Sequence, residues 1–182
     1  TIQDAVEAVS ESGSTITVED GIYNENVLIA NGITNFDGDL TDLTIQAAED
    51  ASPEVVFTPA DADKTVNSYT AGDEGPAALD AAVGDLATVE IYESGVTFEG
   101  VNVTRNEANE NRGSGDGFNT QGITVRNSGV TVENVDIETN LGDEGEDNNN
   151  YGVFVSDEGE APTENVNLVN VKATDFEVGV LV

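Results

Sequence analysis

The sequence predicts an all-β solenoid, in which short strands stack as successive coils around one apolar core. Nearly the same phrase occurs twice, as SGVTFEGVNVTRN (94–106) and as SGVTVENVDIETN (128–140). In both copies apolar residues alternate with polar ones, the period-2 pattern of half-buried strands. No helical pattern separates the copies, so each repeat is expected to be one unit of strands stacked on its neighbours.

The repeat extends beyond these two phrases. TVEIYESGVTFEGVNVTRN (88–106) aligns with GITVRNSGVTVENVDIETN (122–140). A third copy runs through GVFVSD (152–157) and NVNLVNVKATD (165–175), and VGVLV (178–182) begins a fourth. Stacked copies of this kind form one continuous core.

Each repeat contains a corner where the apolar phase slips by one residue. The slips fall at Gly100, Asn134 and Asn170. Gly and Asn enter the left-handed backbone region at low cost, so each slip predicts a sharp bend between two strands. An antiparallel sandwich also repeats short strands, but it does not require the same corner residue in every unit.

The N-terminal segment predicts an amphipathic helix over 1–13 that covers the open end of the solenoid. Thr1 and Asp4 resemble a capping box, and Gly13 is a natural stop. Four apolar residues fall on one helical face: Ile2, Ala5, Val6 and Val9. The other end shows no such cap, since EVGVLV ends in mid-strand and every residue of VGVLV is apolar or glycine. We therefore expect a single domain that is the N-terminal part of a longer chain, with first coils over 15–58, an insertion loop over 59–87 and repeated coils over 88–182.

The charge is extreme. The 182 residues include 37 acidic and 5 basic ones, for a formal net charge of -32. High charge is also a signature of disorder, but the ordered alternation of Val and Ile favours a folded chain adapted to molar salt. The composition is typical of a halophilic archaeon.

The composition also excludes several classes of function. No basic surface is available for nucleic acid or for anionic lipid. The chain has no cysteine for disulfides and no histidine for a Ser-His-Asp triad or a histidine metal site. No apolar run is long enough to span a membrane.

The N-terminal half carries a family resemblance. The stretch TIQDAVEAVSESGSTITVEDGIYNENVLI (1–29) contains a helix, a strand and a G-x-Y-x-E-x-V segment, formed by Gly21, Tyr23, Glu25 and Val27. With the repeats, it resembles the right-handed parallel β-helix of the pectin lyase-like superfamily. The resemblance implies that fold and an asparagine ladder, which Asn134 and Asn170 match and Gly100 does not. It leaves function open, because the superfamily holds lyases, hydrolases, esterases, surface proteins and viral spikes.

Three polar segments, 59–87, 105–121 and 141–150, precede equivalent strands. Insertions at one place in a repeat project from one face, which is often the binding face. In the resembling family, polysaccharide lies along these strands. Alternation predicts their outward residues to be Glu90, Tyr92, Thr124, Arg126, Phe154, Ser156 and Leu181. Tyr92, Arg126 and Phe154 could form an exposed column that stacks on sugar rings. Alternatively, the inserted segments cover them as ordinary packing.

The resemblance also suggests how the site could be catalytic. Lyases of the family use Ca²⁺ held by Asp residues together with an Arg or Lys base, and hydrolases use clustered Asp residues. Arg126 is the best-placed candidate base, with Glu90 beside it in the stack. No catalytic motif of the family surrounds either residue, so we lean against an enzyme.

Calcium is not required by the sequence, but two acidic segments could bind it through oxygen ligands. The candidates are Asp37, Asp39 and Asp42 in DGDLTD, with Asp143, Glu144, Glu146 and Asp147 in GDEGEDNNN. Neither segment has the spacing of an EF-hand, and either could be a solvated acidic loop. Asn102 begins a glycosylation sequon, Asn102-Val103-Thr104, and alternation places it on the outer surface.

Three functions compete. The first is an extracellular or cell-surface structural module, an adhesin or part of a filament, with a glycan or a second copy at the C-terminal end as partner. The second is a polysaccharide lyase or hydrolase resembling pectate lyases. The third is a receptor-binding spike or fibre of a virus that infects a halophile.

Overall fold

The computed structural model describes residues 1–30, 34, 41–57, 87–105, 120–139, 150–155 and 163–182, and every structural statement below concerns these residues. They form one helix, α1 (Ile2–Glu7), and thirteen strands that wind through five coils. Coil 1 contains β1 (Thr15–Val18), β2 (Ile22–Asn24) and β3 (Val27–Ile29); coil 2 contains β4 (Thr44–Ala47), β5 (Glu54–Val56) and β6 (Ala87–Ile91); coil 3 contains β7 (Thr97–Glu99), β8 (Asn102–Arg105) and β9 (Thr120–Val125); coil 4 contains β10 (Thr131–Thr139) and β11 (Asn150–Val155); coil 5 contains β12 (Asn167–Thr174) and β13 (Val178–Leu181).

The strands of successive coils pair in parallel and form two sheets. The large sheet contains eight strands. It bends within the coils, so that the strands before and after the bend lie on two different sides of the solenoid. The small sheet contains β3, β6, β9, β11 and β13 in coil order. Neighbours in both sheets come from consecutive coils, so the chain advances by one layer per coil. The predicted all-β parallel β-helix is confirmed.

The repeats align as the sequence predicted. Phe98 pairs with Val132, which pairs with Leu168 in the next coil. Phe98 and Val132 are fully buried in one core that runs through the coils. Equivalent apolar positions therefore stack along the solenoid axis, as a repeat with one continuous core requires.

Two columns of left-handed residues make the corners. The predicted corner residues have positive φ values, 68° at Gly100, 55° at Asn134 and 51° at Asn170. Asn170 Nδ2 donates to Asn134 Oδ1 at 2.9 Å, which confirms the asparagine ladder in these two coils. A second column, which the sequence did not predict, lies two residues before the first strand of each coil. Its members are Gly13, Asp42, Gly95, Gly129 and Asn165, all with positive φ.

The N-terminal helix is shorter than predicted. It ends at Glu7, with Ala8 as its C-cap, and Gly13 belongs to the corner column instead. The capping box of Thr1 and Asp4 is present. Ile2 and Val6 of the helix are buried in the main core, as predicted, and so is Val9 beyond its end, whereas Ala5 is half-buried.

The fifth coil exposes more apolar surface than the others. The exposed fractions are 44% for Val169, 44% for Val180, 37% for Leu181 and 91% for Val182. Their equivalents in coils 3 and 4 that face inward, such as Val153 beside Val180, are fully buried.

Candidate functional site on the outer face of the small sheet

The outward side chains of the small sheet form the candidate site, and parallel register sets their order. Leu28, Glu90, Thr124, Phe154 and Leu181 stack as one column, one residue per coil. Tyr92 follows Glu90 by two residues, and Arg126 lies beside Tyr92 because its amide donates to the carbonyl of Ile91 at 2.8 Å. The strands thus bring the predicted site residues onto one surface.

That surface is closed to water at three positions, whereas Glu90 is half-buried and Leu181 is 37% exposed. Thr124 is 0% exposed, Leu28 is 3% exposed and Tyr92 is 8% exposed. Tyr92, Leu28 and Ala30 form an apolar cluster separate from the main core. The expectation of an exposed column is therefore wrong for Tyr92. Arg126 and Phe154 are half-buried, and their role as glycan contacts stays a prediction.

The Glu90 carboxylate is held by its own strand. Its Oε2 accepts from the Tyr92 hydroxyl at 3.1 Å, and its Oε1 accepts from the Ala87 amide at 3.3 Å. Burial raises the pKa of Glu90 above its ordinary value, and this effect outweighs the opposing influence of the Tyr92 hydroxyl, the Ala87 amide and the guanidinium groups of Arg126 and Arg105. A carboxyl group in such surroundings is easier to protonate than one in water.

The Arg126 guanidinium packs on an aromatic ring. Its Cζ lies 5.6 Å from the centroid of the Tyr92 ring, within the range of a cation–π contact. Tyr92 therefore connects the two candidate catalytic groups, with its hydroxyl on Glu90 and its ring under Arg126. On the neighbouring strand, the Thr124 hydroxyl donates to Gln121 Oε1, and both of these residues are fully buried.

Phe154 has a different environment from Tyr92. Its ring stacks on Tyr151 with centroids 5.3 Å apart and an interplanar angle of 26°. Tyr151 is 8% exposed, whereas Phe154 keeps part of its ring open to solvent. Of the two aromatic residues predicted to contact glycan, Tyr92 and Phe154, only Phe154 is reached by solvent.

Sequence reasoning missed Arg105. It assigned this residue to a polar inserted segment, but Arg105 is the last residue of β8 and is fully buried. Its Cζ lies 3.2 Å from the centroid of the Phe57 ring. The signal was present, because Val101, Val103 and Arg105 alternate on the inward side. Phe57 carries the same alternation in coil 2, and the Phe57 amide donates to the Thr104 carbonyl at 3.0 Å.

Asn102 links three coils through its carboxamide. Its Nδ2 donates to Ser52 Oγ at 3.2 Å, and its Oδ1 accepts from the Asp136 amide at 3.2 Å. It is half-buried on the outer surface of the large sheet. Glycosylation at this position stays a prediction. The sugar would be attached to Nδ2, the nitrogen that already donates to Ser52.

The calcium candidates are mostly outside the described residues. Asp37, Asp39, Asp143, Glu144, Glu146 and Asp147 all lie there. Asp42 is described and occupies the second corner column with φ 59°, so its backbone has a structural role. Among the described residues, no group of three or more acidic side chains could hold a metal ion.

Comparison with known proteins adds one structural neighbour. No family model matches the chain, and neither does any curated protein sequence. A solved structure of the pectin methylesterase from Aspergillus niger matches with 16% sequence identity and a TM-score of 0.37. The match covers 97% of this chain and 62% of that one, so the chain spans less than two thirds of that protein's length. Within the part of the chain that the structure describes, no helix has the length and apolar character to cross a membrane.

Proposed function

We propose that the chain is a structural and adhesive β-helix module of an extracellular or cell-surface protein that works at high salt. The observation that carries this proposal is that the two candidate catalytic groups on the outer face of the small sheet already contact another side chain. The two groups considered for catalysis are engaged with Tyr92, and Tyr92 is itself buried. A general base must come within hydrogen-bond reach of the substrate proton, and the contacts with Tyr92 compete with that approach.

The remaining solvent-facing features of this sheet suit contact rather than chemistry. Phe154 offers part of an aromatic ring, which can stack on the apolar face of a sugar. We infer that glycan contact, where it occurs, uses this ring. A halophilic origin accounts for the charge of -32 on a folded chain, since molar salt screens repulsion between surface carboxylates.

The test is turnover of acidic polysaccharide. The chain is incubated with polygalacturonate in molar salt with Ca²⁺, and new unsaturated and reducing ends are measured. Arg126→Ala is compared with Lys172→Ala, in which an exposed cation is removed from the large sheet. We expect no turnover from any of the three proteins. Turnover that Arg126→Ala abolishes and Lys172→Ala retains would replace the structural module with the polysaccharide lyase.

Binding is measured separately. The immobilised polysaccharide is titrated with the chain and with Phe154→Ala. We expect weak retention that is reduced in Phe154→Ala, whereas retention that is unchanged in the variant would place glycan contact elsewhere.

A further inference from the structure

The N-terminal helix is fastened to the solenoid by one buried carboxylate. Glu25 Oε1 accepts from the Ile2 amide at 2.9 Å, and Glu25 Oε2 accepts from the Gln3 amide at 2.9 Å. Both oxygens are therefore used on the first turn of α1. These two amides have no partner within the helix, and a carboxylate near the first turn also meets the positive end of the helix dipole.

Glu25 is itself fixed to the body of the solenoid. Its amide donates to the Val56 carbonyl of coil 2 at 3.1 Å, and its side chain is 6% exposed. Gln3 makes the reciprocal contact, since its Oε1 accepts from the Leu28 amide at 2.8 Å. The helix is thus joined to coil 1 at Glu25, just before β3, and at Leu28 within β3.

The helix would not be stable without these contacts. It has six residues, and isolated helices of fewer than about 12 residues are marginal in water. Its apolar side chains Ile2 and Val6 are buried in the same core as Val27 and Ile29 of coil 1. Displacing α1 would therefore uncover the apolar end of the first coil.

We propose that Glu25 and α1 form a latch that closes the N-terminal end of the solenoid and opens as a unit while the coils stay folded. Glu25 is the positioning residue of this latch. Neutralising its carboxylate removes one acceptor and places an amide donor opposite a helix amide, so the closed state loses its main polar attachment. The latch gives the glutamate of the G-x-Y-x-E-x-V segment a specific task in this chain.

The experiment compares Glu25→Gln with Glu49→Gln, which removes the same charge from an exposed turn. Hydrogen exchange is followed by peptide for residues 1–9 and for the coils. We expect residues 2–9 to exchange roughly tenfold to a hundredfold faster in Glu25→Gln, because a hydrogen bond to a charged group is lost. Exchange in β8 and β10 should stay as it is in the unaltered chain.

Two results would overturn the latch. Unchanged exchange over residues 2–9 would mean that Glu25 does not hold the helix. Faster exchange in all coils together would mean that Glu25 supports the whole fold and that the helix is not a separate unit.

A measurement on the unaltered chain covers the case in which Glu25→Gln does not fold. The amides of Ile2, Gln3 and Leu28 should then exchange through one shared local opening, with a lower free energy than the opening of β8 and β10. A single opening free energy for all of these amides would contradict the proposal.

Discussion

At the residue scale, alternation predicts the side of a strand but not what lies over it. Glu90 and Tyr92 face outward from the small sheet, as their positions in the sequence indicated. The burial of Tyr92 could not be predicted, because it depends on Leu28 and Ala30, which lie far away in sequence, while Glu90 stays half-buried. The same limit applies to Glu25, whose partners at Ile2 and Gln3 come together only when coil 1 closes.

Glu90 gives a prediction about pH. Burial raises its pKa in the folded chain, so the folded state binds more protons than the unfolded state between the ordinary and the raised values. The contribution of Glu90 to the stability of the fold is then greatest below the ordinary pKa, and it is lost as pH rises through the raised pKa. We expect Glu90→Gln to unfold at a higher urea concentration than the unaltered chain at neutral pH, and the two midpoints to converge on acidification.

The control for this prediction is Glu138→Gln, which removes an exposed carboxylate from the large sheet whose register partners, Thr104 and Thr174, are uncharged. Urea unfolding of all three proteins is measured by circular dichroism at several pH values. A Glu90→Gln variant that is less stable than the unaltered chain at neutral pH would show that the hydrogen bonds from Tyr92 and Ala87, together with the attraction of the arginines, exceed the cost of burial.

At the element scale, the coils depend on corner residues in the left-handed backbone conformation, which the residue type at each corner can predict. The phase slips predicted left-handed corners at Gly100, Asn134 and Asn170 because few residues adopt this conformation cheaply. The second corner column was missed, since Asp42 and Asn165 occupy it together with glycines. A mixed column shows no single residue type, and only register reveals it.

Gly122, Gly152 and Gly179 occupy equivalent positions in the small sheet, and the packing around the first two is tight. A Cβ built on Gly122 would lie 2.4 Å from Ile137 Cγ2 and 2.8 Å from the Gly152 carbonyl oxygen. A Cβ on Gly179, which occupies the equivalent position two coils later, would meet Ala173 Cβ at 3.8 Å, an ordinary contact. Gly122 is therefore required by space, whereas Gly179 is not.

These two glycines form a matched pair for mutation. We expect Gly122→Ala to lower the free energy of unfolding by about 1–3 kcal/mol, the usual cost of overpacking. Gly179→Ala should change it by less than about 0.5 kcal/mol, as a substitution with room around it does. Urea denaturation of both variants in molar salt measures the difference in the free energy of unfolding. A loss in Gly122→Ala as small as that in Gly179→Ala would show that Ile137 can move aside.

At the scale of the whole molecule, charge sets the conditions under which the coils hold together. Glu99 pairs with Glu133 in register across β7 and β10, so two carboxylates of like sign occupy neighbouring strands. Such strands are about 4.8 Å apart. The Debye length is about 10 Å at 0.1 M salt and about 3 Å at 1 M, so molar salt screens this pair and dilute salt does not.

The stacking that builds the core is therefore the same stacking that brings these like charges together. Each coil adds apolar contacts inward and carboxylates outward, and the net charge of -32 opposes the compact state. We expect the chain to lose its strand signal in circular dichroism as salt falls below about 0.1 M. Glu133→Gln should shift this loss to lower salt, because it removes one member of the stacked pair. Sucrose in place of salt serves as the control, since it favours burial without screening charge. A strand signal that persists below 0.1 M salt would mean that apolar burial alone outweighs the repulsion, and the requirement for a high-salt environment would then lose its physical basis.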